Sequence, residues 1–272
     1  MTARQKAFMR KLKKSAEYTL LAAIAFAFIL PVALLLFRAF GLTGAEERGA
    51  FFLDVLQKPR NRKAFAIGLF ISFWAAAVSS AASASAGMSL FLGKPRQSDR
   101  FLSAIMRVCG LPYCTLAIPL YFLLFHFRLL DSLFITVLFL AAAHIPETIR
   151  VYAQFILALP KEQIEQSRMD GAGFGVFFVR ILLPQMIPVL TGTFITTFIN
   201  SWGNFIVPFI LLSSSGKLPA ALAFFQSFSA GDPALTGYLS AYAVLYWLPA
   251  IALYLVLRLG MSRLFVVQRL RN

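Results

Sequence analysis

The sequence predicts an all-α, polytopic membrane protein with six transmembrane helices, and three observations carry that prediction. Of its 272 residues, 59% are hydrophobic and only 14% are charged, whereas a soluble domain of this length carries roughly 25% charge. The apolar residues are gathered into blocks, and about 20 residues of helix are enough to cross a bilayer. The 26 Lys and Arg fall mostly between those blocks, as they do beside membrane spans.

The first span is expected at about Glu17–Phe40, interrupted by Pro31. Its basic flank, MTARQKAFMRKLKK, resembles a signal-peptide start. The apolar run is too long for a signal peptide and lacks an A-x-A-like stop, so an uncleaved span is expected. The second covers about Ala64–Leu92 and contains Ser79, Ser83 and Gly87, spaced four apart on one helix face. Small residues there suit close helix packing, with a pore-lining polar stripe as the alternative. The third is expected at Phe101–Phe125, the fourth at Ser132–Leu157, the fifth at Ile187–Leu212 and the sixth at Tyr238–Ser262. Most of these carry internal prolines, which buried membrane helices tolerate.

With the N-terminus inside, sixteen Lys and Arg lie on the cytoplasmic side and seven opposite, which supports both termini in the cytoplasm. Residues 1–16 then form a basic cytoplasmic N-terminus, 17–262 the membrane domain and 263–272 a cytoplasmic C-terminus. The cluster Lys58, Arg60, Arg62 and Lys63 runs against the rule. The net charge of +15 would suggest polyanion binding in a soluble protein. No aromatic-basic motif accompanies it, so membrane lipid rather than nucleic acid is the expected partner. Cys109 and Cys114 are five residues apart and point to different helix faces, which excludes a disulfide between them. They have no neighbouring ligand types, and no metal site is expected.

The most polar internal stretch is the loop at 158–186. Pro160 can open a helix, KEQIEQSRM continues it, and three glycines at 171, 173 and 175 permit a turn. Phe174, Phe177, Phe178, Ile181 and Leu182 then recur at helical spacing as an apolar stripe. By chemistry alone this helix–turn–helix is either a partner-docking loop or a helix lying in the lipid headgroups. Its glycines do not make a dinucleotide site, because Val176 breaks G-x-G-x-x-G and no strand precedes.

Two polar groups inside spans are candidate pathway residues. His144 and Glu147 are the candidates on the fourth span, where they form one stripe with Arg150. Ionisable residues at that depth mark functional sites, the alternative being a self-compensating structural cluster. Asn200, Ser201, Trp202 and Asn204 join hydrogen-bonding groups to a flat apolar face, as sugar binding requires. Hydrogen bonding between helices is the alternative.

The segment EQSRMDGAGFGVFFVRILLP, residues 165–184, resembles the EAA loop of permease subunits of ATP-binding-cassette importers. Glu165, Gly171, Ile181, Leu183 and Pro184 match its anchors at the right spacing, Asp170 and Ala172 complete its DGA core, and Gln166 and Ser167 replace its two alanines. Residues 111–132, 201–225 and 248–266 also resemble the carbohydrate-uptake class, including the maltose-transporter smaller permease subunits. Trp202–Phe205 reads WGNF where that class commonly has WNEF, and Arg128 stands at a common glycine.

The resemblance implies a subunit of the bacterial plasma (inner) membrane with no catalytic residues of its own. It implies two partner ATPases that bind ATP-Mg, a second permease subunit of a different chain and an extracytoplasmic solute-binding protein. It further implies that Glu165 bonds within an ATPase cleft and that Gly171 makes the turn between coupling helices. The chain has no G-x-x-x-x-G-K-[ST] phosphate cradle. A sugar, oligosaccharide or polyol-type solute is the implied cargo. The alternatives are another solute, such as glycerol phosphate or a polyamine, or a proton-coupled secondary transporter using His144 and Glu147.

Overall fold

A computed structural model of the chain describes residues 3–40, 50–92, 95–109, 113–158, 166, 169, 173–212, 215–229 and 236–269. These residues are helical almost throughout, with no strand among them. The helices are α1 (Ala3–Ala39), α2 (Ala50–Gln57), α3 (Pro59–Leu92), α4 (Pro95–Cys109), α5 (Tyr113–His126) and α6 (Leu133–Leu157). There follow α7 (Phe174–Phe177), a π-helical turn (Phe178–Leu182), α8 (Leu183–Trp202), α9 (Ile206–Leu211), α10 (Ala220–Ser229) and α11 (Thr236–Arg269). The all-α membrane class is therefore as the sequence predicts.

Among the described residues, five helices are long and apolar enough to span a membrane: Glu17–Ala39, Pro59–Met88, Leu133–Ile156, Gly175–Trp202 and Thr236–Arg258. Of the expected third span, Phe101–Phe125, residues 101–109 lie in α4 and 113–125 in α5, and 110–112 fall outside the described residues. Helix α4 opens on the polar run PRQSDR and carries Arg107 in its last turn, and Thr115–His126 is a short apolar helix. The fifth span also differs from its expected Ile187–Leu212. Helix begins further back, at Phe174, and α8 ends at Trp202 before Gly203–Phe205 interrupt it.

Contact clustering divides the chain into two compact units, Met1–Lys58 with Ser227–Leu245, and Pro59–Gln226 with Tyr246–Asn272. In the first, the Phe40 and Phe52 rings lie 5.2 Å apart and Val55 is fully buried. A Cβ on Gly237 would come within 2.4 Å of the Phe51 ring, so this contact requires glycine. Lys58 Nζ sits 4.1 Å above the Tyr238 ring, a cation–π contact.

The second unit is built on a seam between α3 and α6. Ile67, Ile71 and Ala75 cluster with Val137 and Leu140. Further along, Ser79 and Ser83 meet the Thr148 hydroxyl, and Gly87 meets Tyr152. Both helices therefore advance in the same direction. Parallel neighbours need a connection that returns the chain to the starting end, so the stretch containing α4 and α5 must lead back across. Helix α8 runs the opposite way along α3: Phe194 faces Phe73 at 5.6 Å, and Trp202 reaches Gly68.

The small-residue face of α3 is thus a packing surface. Bilayer lipid gives little hydrophobic drive for helix association, so close approach and interhelical hydrogen bonds hold the seam. A Cβ on Gly87 would lie 3.0 Å from Tyr152 Cβ, an atom fixed to the opposing backbone. Gly87→Leu is expected to destabilise the protein by about 1–3 kcal/mol through overpacking. Thermal unfolding in detergent would show this as a lowered Tm, while Ser85→Ala, on an exposed position of the same helix, leaves the Tm unchanged.

Candidate functional site

Helix α6 presents different residues to different neighbours. Thr148 and Tyr152 face α3 and α8. Thr148 donates to the carbonyls of His144 and Ile145 at 3.0 Å, and Thr193 on α8 donates to the Tyr152 hydroxyl at 3.4 Å. On the same helix, His144, Pro146, Glu147 and Arg150 line a cavity of about 700 Å³. Asn200 of α8 completes the polar lining, and Met106, Val108 and Cys109 of α4, with Leu116 and Phe139, supply apolar wall. The volume lies within the range of roughly 300–1,000 Å³ usual for small-molecule sites.

His144 is buried, while Glu147 and Asn200 are exposed. Glu147 and Arg150 are not joined by an ion pair among the described residues. The buried Arg150 Nε has no hydrogen-bond partner there. The cavity therefore presents an acceptor carboxylate, a donor guanidinium, an amide and an imidazole inside otherwise apolar helices. Arg150 was not among the sequence's pathway candidates, although its i, i+3 spacing from Glu147 was visible.

The other expected pathway residues are placed differently. Trp202 is buried and stacks on Tyr246, with ring centroids 5.0 Å apart. Its Nε1 donates to the Tyr246 carbonyl at 3.0 Å, and the Tyr246 hydroxyl donates to the Trp202 carbonyl at 2.6 Å. This double clamp closes the C-terminal end of α8. Asn204 Oδ1 accepts from the Val207 amide at 3.0 Å and so starts α9. Ser201 is buried and its hydroxyl has no partner among the described residues. None of these three lines the cavity.

Of the expected coupling residues, Glu165, Ser167, Asp170, Gly171 and Ala172 lie outside the described residues. Gln166 is helical and exposed. Beyond Gly173, the apolar stripe turns inward. Phe177 and Leu182 are buried with Tyr152 and Met186, and Phe178 and Ile181 pack against that cluster. The stripe thus serves internal packing. Leu183 and Pro184 are exposed. Pro184 cannot donate to the carbonyl four residues back. The π turn just before it widens the helix there, with the Leu183 amide bonding to the Phe178 carbonyl five residues back.

Comparison with known proteins assigns this architecture. Residues 81–266 match the family model for the binding-protein-dependent transport system inner membrane component. The chain is 33% identical over 126 residues to an arabinooligosaccharides transport system permease protein of Halalkalibacterium halodurans, covering 45% of this chain and 44% of that protein. It is 29% identical over 149 residues to a glucose import system permease protein of Saccharolobus solfataricus, covering 55% and 48%. It is 34% identical over 110 residues to an sn-glycerol-3-phosphate transport system permease protein of Yersinia enterocolitica, covering 40% and 39%. The matches thus span about half or less of these relatives' lengths. The fold is shared with a crystal structure of a bacterial ABC transporter involved in the import of the acidic polysaccharide alginate. The TM-score is 0.72 at 17% identity, covering 95% of this chain and 98% of that one. The family match takes in the α3–α6 seam from Ser83 onward, the cavity and the glycine-centred loop, and the chain belongs to the binding-protein-dependent transport system inner membrane components.

Proposed function

We propose that this chain is the transmembrane permease subunit of an ATP-binding-cassette importer, and that it moves a sugar-type solute past the α4–α6–α8 cavity. The observation that supports this reading most directly is the cavity itself. Within a chain of this family, acidic, basic and amide groups converge where lipid-facing helices offer none. Polyhydroxylated solutes need donors and acceptors together, and Glu147, Arg150 and Asn200 provide both. The relatives named for arabinooligosaccharides, glucose and sn-glycerol-3-phosphate have polyhydroxylated cargo in common.

ATP-Mg binds and is hydrolysed on two separate ATPases, and no group of this chain takes part in that chemistry. A second permease completes the pathway, and an extracytoplasmic binding protein supplies the solute. Glu165, Gln166, Ser167, Asp170, Gly171 and Ala172 form the surface docked in the ATPase cleft. Ile181 and Phe178, packed beside Tyr152, link that surface to α6 and thereby to the cavity. The termini and the docked loop face the cytoplasm.

Uptake of radiolabelled saccharides into cells carrying the full transporter tests both halves. Glu165→Lys or Gly171→Pro is expected to abolish uptake while the chain still inserts into the membrane; normal uptake in both would sink the coupling assignment. Glu147→Gln and Arg150→Gln are each expected to raise the apparent KM about tenfold or more, the loss from one charged hydrogen bond. Uptake that survives ATP depletion and collapses with a protonophore would replace the importer by a proton-coupled carrier.

The Trp202–Tyr246 clamp predicts a different phenotype. Tyr246→Phe removes one hydrogen bond within the membrane and is expected to cost about 0.6–2 kcal/mol of stability. Thermal unfolding should register that loss while the KM for uptake stays at the parent value.

A further inference from the structure

The basic turn at the start of α3 has no part in the translocation reading. Lys58, Arg60, Arg62 and Lys63 fall within six residues. They lie where the α3–α6 seam begins, and the glycine-centred loop follows where that seam ends. Like charges repel there, and the positive end of α3 disfavours each cation further.

A neighbouring cation shows how compensation works at this end. Lys217 Nζ lies 3.2 Å from Asp131 Oδ2 and also donates to the Asp131 carbonyl. Arg60 has only a neutral partner, donating from Nη2 to Gln226 Oε1 at 2.6 Å. Among the described residues, no carboxylate is paired with Arg60, Arg62 or Lys63.

Beside them opens a second cavity, of about 540 Å³, lined by Arg60, Lys63, Ala64, Gly216, Leu218 and Gln226. It holds two cations, one amide and no acid. A Cβ on Gly216 would lie 3.6 Å from Lys63 Nζ, so the glycine leaves the space beside the ammonium open. Because Gln226 accepts from Arg60 through its oxygen, its NH₂ group remains a donor. Every polar side chain of the cavity can thus donate to one anion. The concave shape suits a small anionic group rather than the flat face of a protein.

We propose that this cavity is an anion-binding site, in which the Arg60 guanidinium, the Lys63 ammonium and the Gln226 amide hold a phosphate or carboxylate group. The guanidinium fork pairs with two oxygens of such a group, and the ammonium adds a point charge. A phospholipid headgroup and a soluble anion offer the same chemistry.

The test uses the assembled transporter. In phosphatidylcholine nanodiscs, inorganic phosphate is titrated at constant ionic strength and binding is read by calorimetry. In parallel, native mass spectrometry scores phosphatidylglycerol retained after purification from membranes containing it. Saturable phosphate binding identifies a soluble anion as the occupant, and retained phosphatidylglycerol without phosphate binding identifies a lipid. In either case Arg60→Gln combined with Lys63→Gln is expected to weaken binding at least about tenfold. Arg62→Gln, outside the cavity lining, leaves it intact. Gly216→Val keeps both cations, places a branched side chain in the space beside the Lys63 ammonium and is expected to give the same loss, which separates the site from a misfolded double variant. Phosphate and phosphatidylglycerol binding that is absent, or equal in the parent, the double variant and Gly216→Val, would overturn the proposal.

Discussion

The parallel seam between α3 and α6 is the constraint on which the rest of this structure depends. Lipid cannot hydrogen-bond a backbone, so each span must satisfy its own amides and then find neighbours by shape. Ser79, Ser83 and Gly87 remove side-chain bulk from one face of α3, and Thr148 and Tyr152 occupy the room. The Thr148 hydroxyl also bonds back to its own helix at His144 and Ile145. The seam is therefore satisfied polar contact at close range.

That seam fixes the placement of the functional groups. Once Thr148 and Tyr152 face α3 and α8, helical geometry turns Glu147 and Arg150 toward α4 and the cavity. The parallel course of α3 and α6 also separates the two ends. The glycine-centred loop follows the last turn of α6, and the basic cavity of Arg60 and Lys63 lies where α3 begins. Tyr152 gathers the contacts at the loop end, since it touches Gly87, the Thr193 hydroxyl and the cluster of Phe177 and Leu182. The segment after Gly173 therefore packs on α6 at Tyr152, one turn from Thr148.

Aromatic packing holds the opposite end of α8. Trp202 lies between Phe198 and Tyr246, with near-parallel rings on each side. Gly68 admits its indole against α3, where a Cβ would come within 2.9 Å of the ring. The break at Gly203–Phe205 is accommodated because Asn204 supplies an acceptor to the Val207 amide as α9 begins. A polar residue in the middle of an apolar stretch here supplies the first acceptor of a helix.

The sequence by itself determined the membrane class, four of the spans to within a few residues, the packing face of α3 and the His144–Glu147–Arg150 stripe. All of these follow from composition and local helical period, which act over one or two turns. Its resemblance to the EAA loop is likewise a matter of spacing. The sequence did not determine that helix runs back from the expected start of the fifth span, Ile187, to Phe174. Nor could it separate Asn200 from Ser201, Trp202 and Asn204, four neighbours with similar chemistry. Only the tertiary structure decided that Asn200 meets the cavity while Trp202 is clamped by Tyr246, 44 residues away. It alone set Arg60 beside Gln226, 166 residues distant. Which side chains converge depends on how helices cross, and helix crossing is set by non-local packing that no local pattern contains.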